Sequence, residues 1–68
     1  MTIRKIFKTT EDNIDDVRDE LYSYEYQFDH ATVKNPDGEK VKVDSFEYLM
    51  DLLTFYYNQT IYLHIKEF

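Results

Sequence analysis

"LYSYEYQFDHATVKNPDGEKVKV", residues 21–43, decides the fold, because the hydrophobic period changes inside it. Upstream, Ile14, Val17 and Leu21 recur at three- and four-residue spacing, the apolar stripe of an amphipathic helix, with Tyr24 as its continuation. From Tyr22 the rings fall on every second position instead. Tyr22, Tyr24, Tyr26, Phe28 and His30 alternate with Ser23, Glu25, Gln27, Asp29 and Ala31. A two-residue period of β-favouring aromatics reads as a strand. The helix is therefore expected to end between Leu21 and Glu25, with a strand following to about Lys34. "NPDG" at 35–38 then supplies turn chemistry: proline presets φ, Asn35 and Asp37 cap through their side chains, and Gly38 tolerates positive φ. Val41 and Val43 alternate with lysines beyond it, so residues 26–44 read as a β-hairpin.

Outward from this stretch the remaining elements follow. "TIRKIFK" reads as an edge-like strand. Thr9 and Thr10 followed by Glu11 and Asp12 form a helix-start signal, which places the first helix near residues 10–23. "DSFE" at 44–47 has the capping-box pattern, with Asp44 as cap and Glu47 reaching back. Phe46, Leu49, Met50, Leu53, Tyr56 and Tyr57 mark a second amphipathic helix near 45–58. "NQT" breaks it, and "IYLHIKEF" alternates as a final strand.

The order β-α-β-β-α-β predicts an α+β domain over residues 1–68. It has the element order of the ferredoxin-like split βαβ arrangement, with two helices on one face of an antiparallel sheet. Leu21, Leu49, Leu53, Ile61 and Leu63 are the expected core. Sixty-eight residues without cysteine leave no disulfide or thiolate site to help, so an aromatic content of 18% must carry the packing. No apolar run is long enough for a secretory h-region or a membrane span, which points to a cytoplasmic, soluble protein.

Catalysis and cofactors find no support. No glycine-rich phosphate loop is present, the serines are Ser23 and Ser45 alone, and His30 and His64 lack metal-ligand spacing. The expectation is a non-enzyme with no cofactor and no metal.

The acidic stretch is more informative. Between residues 11 and 20 lie Glu11, Asp12, Asp15, Asp16, Asp19 and Glu20, with Arg18 the sole cation. On a continuous helix Asp12, Asp15, Asp16 and Asp19 fall opposite Ile14, Val17 and Leu21. They would span about 10.5 Å at about 1.5 Å per residue, one charge per roughly 3.5 Å, close to the axial charge spacing of a single DNA strand. Asp12, Asp15, Asp16, Asp19 and Glu20, flanked by Tyr22 and Tyr26, are the candidate binding residues. A formal net charge of −6 argues against direct nucleic-acid or anionic-membrane binding and favours a basic protein partner, foremost a nucleic-acid-binding protein. Small inhibitors from phages and mobile elements that mimic nucleic-acid charge share this composition. The alternative is a homodimeric or larger structural or regulatory domain in which the acidic helix is only solvated. The open aromatic sheet face, with Tyr62, His64 and some of Tyr24, Tyr26 and Phe28, is a second candidate surface. Lacking the basic aromatic segment of RNA-recognition domains and carrying the wrong net charge for base stacking, it suits a protein partner or a second copy of this chain.

Overall fold

A computed structural model describes residues 2–66. The elements are β1 (Thr2–Lys8), α1 (Ile14–Tyr22), a short 3-10 turn (Glu25–Gln27), β2 (Phe28–Lys34), β3 (Lys40–Val43), α2 (Phe46–Phe55) and β4 (Thr60–Lys66). The order is β-α-β-β-α-β in a four-stranded antiparallel sheet. The last two residues of the expected final strand, Glu67 and Phe68, lie outside the described residues.

The sheet runs β1-β4-β2-β3. The fourth and second strands are therefore central and the first and third form the edges, an arrangement that does not confirm the ferredoxin-like order. The physical reason lies in composition. β4 and β2 bury Ile61, Leu63, Ile65, Ala31 and Val33, and so belong in the middle. β1 has the basic, mostly exposed character of an edge, and β3 is four residues long with two lysines.

Both helices cover the face carrying those buried residues. α1 contributes Ile14, Val17 and Leu21, and α2 contributes Leu49, Met50 and Leu53. The five expected core residues are all fully buried. Phe7, Tyr24, Phe28, Phe46 and Leu52 pack around them.

Three local details differ from the sequence reading. α1 starts at Ile14, not near residue 10, after a turn over residues 11–13 that Thr10 opens with the reciprocal bonds of a capping box. There the Thr10 N–H donates to Asn13 Oδ1 (2.6 Å) and the Asn13 N–H donates to Thr10 Oγ1 (3.2 Å). Thr9 is buried: its hydroxyl accepts from the Gln59 N–H (2.9 Å) and tethers the end of β1 to the start of β4. At α2 the cap is Ser45, whose Oγ accepts from the Tyr48 N–H (3.3 Å), rather than Asp44. That helix stops at Phe55, so Tyr56 and Tyr57 lie beyond it, and Asn58 turns the chain with φ of 61°.

The third difference is the aromatic alternation. Helix α1 continues through Tyr22, and a 3-10 turn holds Glu25, Tyr26 and Gln27, so only Phe28 and His30 of the five rings lie on a strand. Even those two face opposite ways. Phe28 pairs with Ile65 and His30 with His64, so Asp29 is an extra residue in the ladder, a β-bulge. One inserted residue flips the side chains beyond it. Phe28 packs edge-on against Phe46 at 5.6 Å, while His30 stacks on His64 at 4.2 Å.

Candidate functional site

The fold separates charge. Six carboxylates from Glu11 to Glu20 lie on α1 or the turn before it, and all are exposed. Asp15, Asp16, Asp19 and Glu20 share the solvent side of the helix, opposite Ile14, Val17 and Leu21. Asp12 sits in the preceding turn, so the regular helical part of the acidic row is shorter than the spacing argument assumed. Among the described residues Lys42 and Asp44 form an ion pair (3.8 Å) and His30 Nδ1 hydrogen-bonds Asp29 (2.6 Å); neither contact involves an α1 carboxylate.

Tyr22 and Tyr26 stay with this face. Tyr22 ends α1 half exposed, its ring edge-on to Phe46 at 5.7 Å, and Tyr26 on the 3-10 turn is 93% exposed. Between α1 and α2 the chain forms a shallow notch of about 360 Å³, lined by Tyr22, Phe46 and Met50 with Glu25, Glu47 and Asp51. An apolar floor ringed by three carboxylates suits a long cationic side chain, whose stem packs on the floor while its head group meets the acids. The notch was not foreseen in the sequence, because it needs α1 and α2 side by side. Glu47 and Asp51, at i and i+4 on α2, were the available signal.

The opposite side of the sheet has the reverse character. Strand register places Arg4, His64 and His30 in one row across β1, β4 and β2. The next row is Ile6, Tyr62, Thr32 and Lys42, and the one after it Lys8, Thr60, Lys34 and Lys40. With Lys66, this face carries six of the chain's eight Lys and Arg residues. Of the other two, Lys5 faces the helices with its Nζ 5.4 Å from the Tyr24 ring, and Arg18 is on α1. Net charge concealed this pattern, although the cations sit on the polar phase of each alternating strand and could be assigned a face from that phase. Tyr62 and His64 lie on the open face as expected. Phe28 and Tyr24 are on the helical side, and Tyr26 belongs to the acidic end.

Two titrations on the open face are displaced. Burial, then the neighbouring His30 and Arg4, push the His64 imidazole below its ordinary value. Asp29 is held low chiefly by the hydrogen bond that His30 Nδ1 donates to it.

Among the described residues no group of three or more His, Cys, Asp or Glu side chains is placed to hold a metal ion, and no helix is long and apolar enough to cross a membrane. Comparison with protein-family models, with curated proteins and with solved structures finds no match to this chain.

Proposed function

We propose that this chain is a small protein-binding module whose acidic helical face receives a basic partner, of the kind that handles nucleic acid. The observation that carries this reading is the exposed set of α1 carboxylates with no cation partner among the described residues, bordered by the notch of Tyr22, Phe46 and Met50. Clustered like charge on a short helix costs a few tenths of a kcal/mol per pair, so a surface selected for stability alone would have interspersed lysines. Exposed tyrosines beside it supply the rigid, amphipathic contacts that interfaces favour. A partner arginine or lysine entering the notch would meet Glu25, Glu47 and Asp51, while Asp15, Asp16, Asp19 and Glu20 steer its approach. Inhibition by phosphate mimicry is one use of such a face. Its support is the density and exposure of charge rather than a regular ladder, since Asp12 lies off the helix.

The test is titration of an Arg- and Lys-rich peptide into the parent protein and into the double variant Asp15→Lys/Asp19→Lys. Both positions are exposed, so the variant should keep the fold. Binding to the parent should weaken steeply with salt, and the variant should bind at least about tenfold more weakly with slower association. Equal affinity for parent and variant across the salt series would remove α1 from the binding surface.

A further inference from the structure

We infer that the open face of the sheet binds single-stranded nucleic acid, with bases on the Tyr62, His30 and His64 rings and phosphates on the surrounding cations. The arrangement fits a strand in two respects. The rings occupy the two central strands: His30 and His64 lie stacked, 11° from parallel, and Tyr62 is next along β4. The cations form a rim, with Arg4 and Lys8 on β1, Lys40 on β3 beside Lys42, which makes an exposed ion pair with Asp44 (3.8 Å), Lys66 at one end and Lys34 in the row at the other. A shallow depression of about 300 Å³ lined by Arg4, Thr32, Lys40, Tyr62 and His64 joins rim to centre.

Stacking platforms inside a cationic surround are how proteins hold single strands with little sequence preference. Arg4 already lies over the Tyr62 ring at 5.9 Å, and its planar guanidinium can swing aside for a base or cap one. An acidic peptide would satisfy the cations but has no flat groups for the rings. A second copy of this chain would offer its acidic helices, yet those carry Tyr22 and Tyr26 at one end only.

The net charge of −6 does not forbid this. The narrowest dimension of the molecule is 18 Å, about twice the Debye length of about 8 Å at physiological ionic strength. A strand on the sheet therefore feels the local cations far more than the carboxylates on the far side. The expectation from net charge, that the chain makes no direct nucleic-acid contact, assumed a uniform surface.

The experiment is fluorescence anisotropy of a labelled oligothymidylate of about twelve nucleotides, a length within the usual single-domain range, against the full chain. Binding should saturate and weaken with salt, log K falling by about 0.7 per decade of salt for each phosphate neutralised. Tyr62→Ala should lose about tenfold, a loss of the size expected when one base loses its stacking ring, and Tyr62→Phe should restore it. Lys34→Glu/Lys40→Glu should abolish binding. These lysines already face each other across β2 and β3, so exchanging both leaves a like-charged pair as before, and circular dichroism checks that the fold persists. Lys8→Gln/Lys42→Gln, at the two edges, should weaken binding without touching the centre of the sheet. The inference is overturned by no binding at low salt, by binding indifferent to these variants, or by duplex or polyglutamate binding as tightly as the strand. Salt-sensitive self-association that the strand cannot displace would overturn it equally, by assigning the face to a second copy.

Discussion

His64 is the residue where packing and charge meet most directly. It stacks on His30 at 4.2 Å and pairs in register with Arg4 of the adjacent β1, and burial with these neighbours favours its neutral form. A histidine depressed in the folded state takes up its proton more readily when unfolded, so falling pH favours unfolding. Stability should therefore drop between pH of about 7.5 and about 5.5, the window in which histidine alone among ordinary side chains titrates. Asp29, also held low, has the same sign of linkage in a lower window: its contribution is present above its ordinary value and disappears only in stronger acid. Urea unfolding at the two pH values checks this, with His64→Gln expected to shrink the difference. A stability that rises on acidification would contradict the stacked, half-buried geometry. None of this was legible in the alternating "FDHAT". A strict two-residue period sets Phe28 and His30 on one face, and only the bulge at Asp29, which depends on pairing with β4, separates them.

At the scale of elements, the sequence was readable where signals are local. The turn is one such case: Asn35 Oδ1 accepts from the Glu39 N–H at 2.9 Å, the Gly38 N–H donates to the Asn35 carbonyl at 3.0 Å, and Gly38 has φ of 93°. The helix stripes of Ile14, Val17 and Leu21 and of Leu49 and Leu53 follow equally from period. Reading became unreliable where two local devices compete. "DS" offers two caps in succession, and the geometry selects Ser45. Ser45→Ala should then cost about 1 kcal/mol of stability, while Asp44→Ala, whose contact is an exposed ion pair with Lys42 at 3.8 Å, should cost little. Thermal melts of the two variants decide it; the reverse ranking would restore Asp44 as the cap. Strand order was the other element-level gap. Edge character in β1 could be read from its charges, but nothing in a single strand says which neighbour it will take.

Across the whole molecule the organising feature is a sheet with an acidic helical layer on one side and a cationic aromatic face on the other. The acidic side was visible as a run in the sequence. The basic side was dispersed over four strands and became one surface only through register, so a net charge summed along the chain concealed two oppositely charged faces. Among the described residues the α1 carboxylates make no ion pair, whereas on the open face Lys42 pairs with Asp44 and Asp29 accepts from His30. Backbone amide NMR titrations with two probes test this division most directly. Oligothymidylate should shift His30, Thr32, Lys40, Tyr62 and His64, whereas an Arg- and Lys-rich peptide should shift Asp15, Asp19, Tyr22, Glu47 and Asp51. Two perturbation maps on opposite faces are the predicted result; maps that coincide, or an oligonucleotide that leaves the sheet residues unmoved, would contradict it.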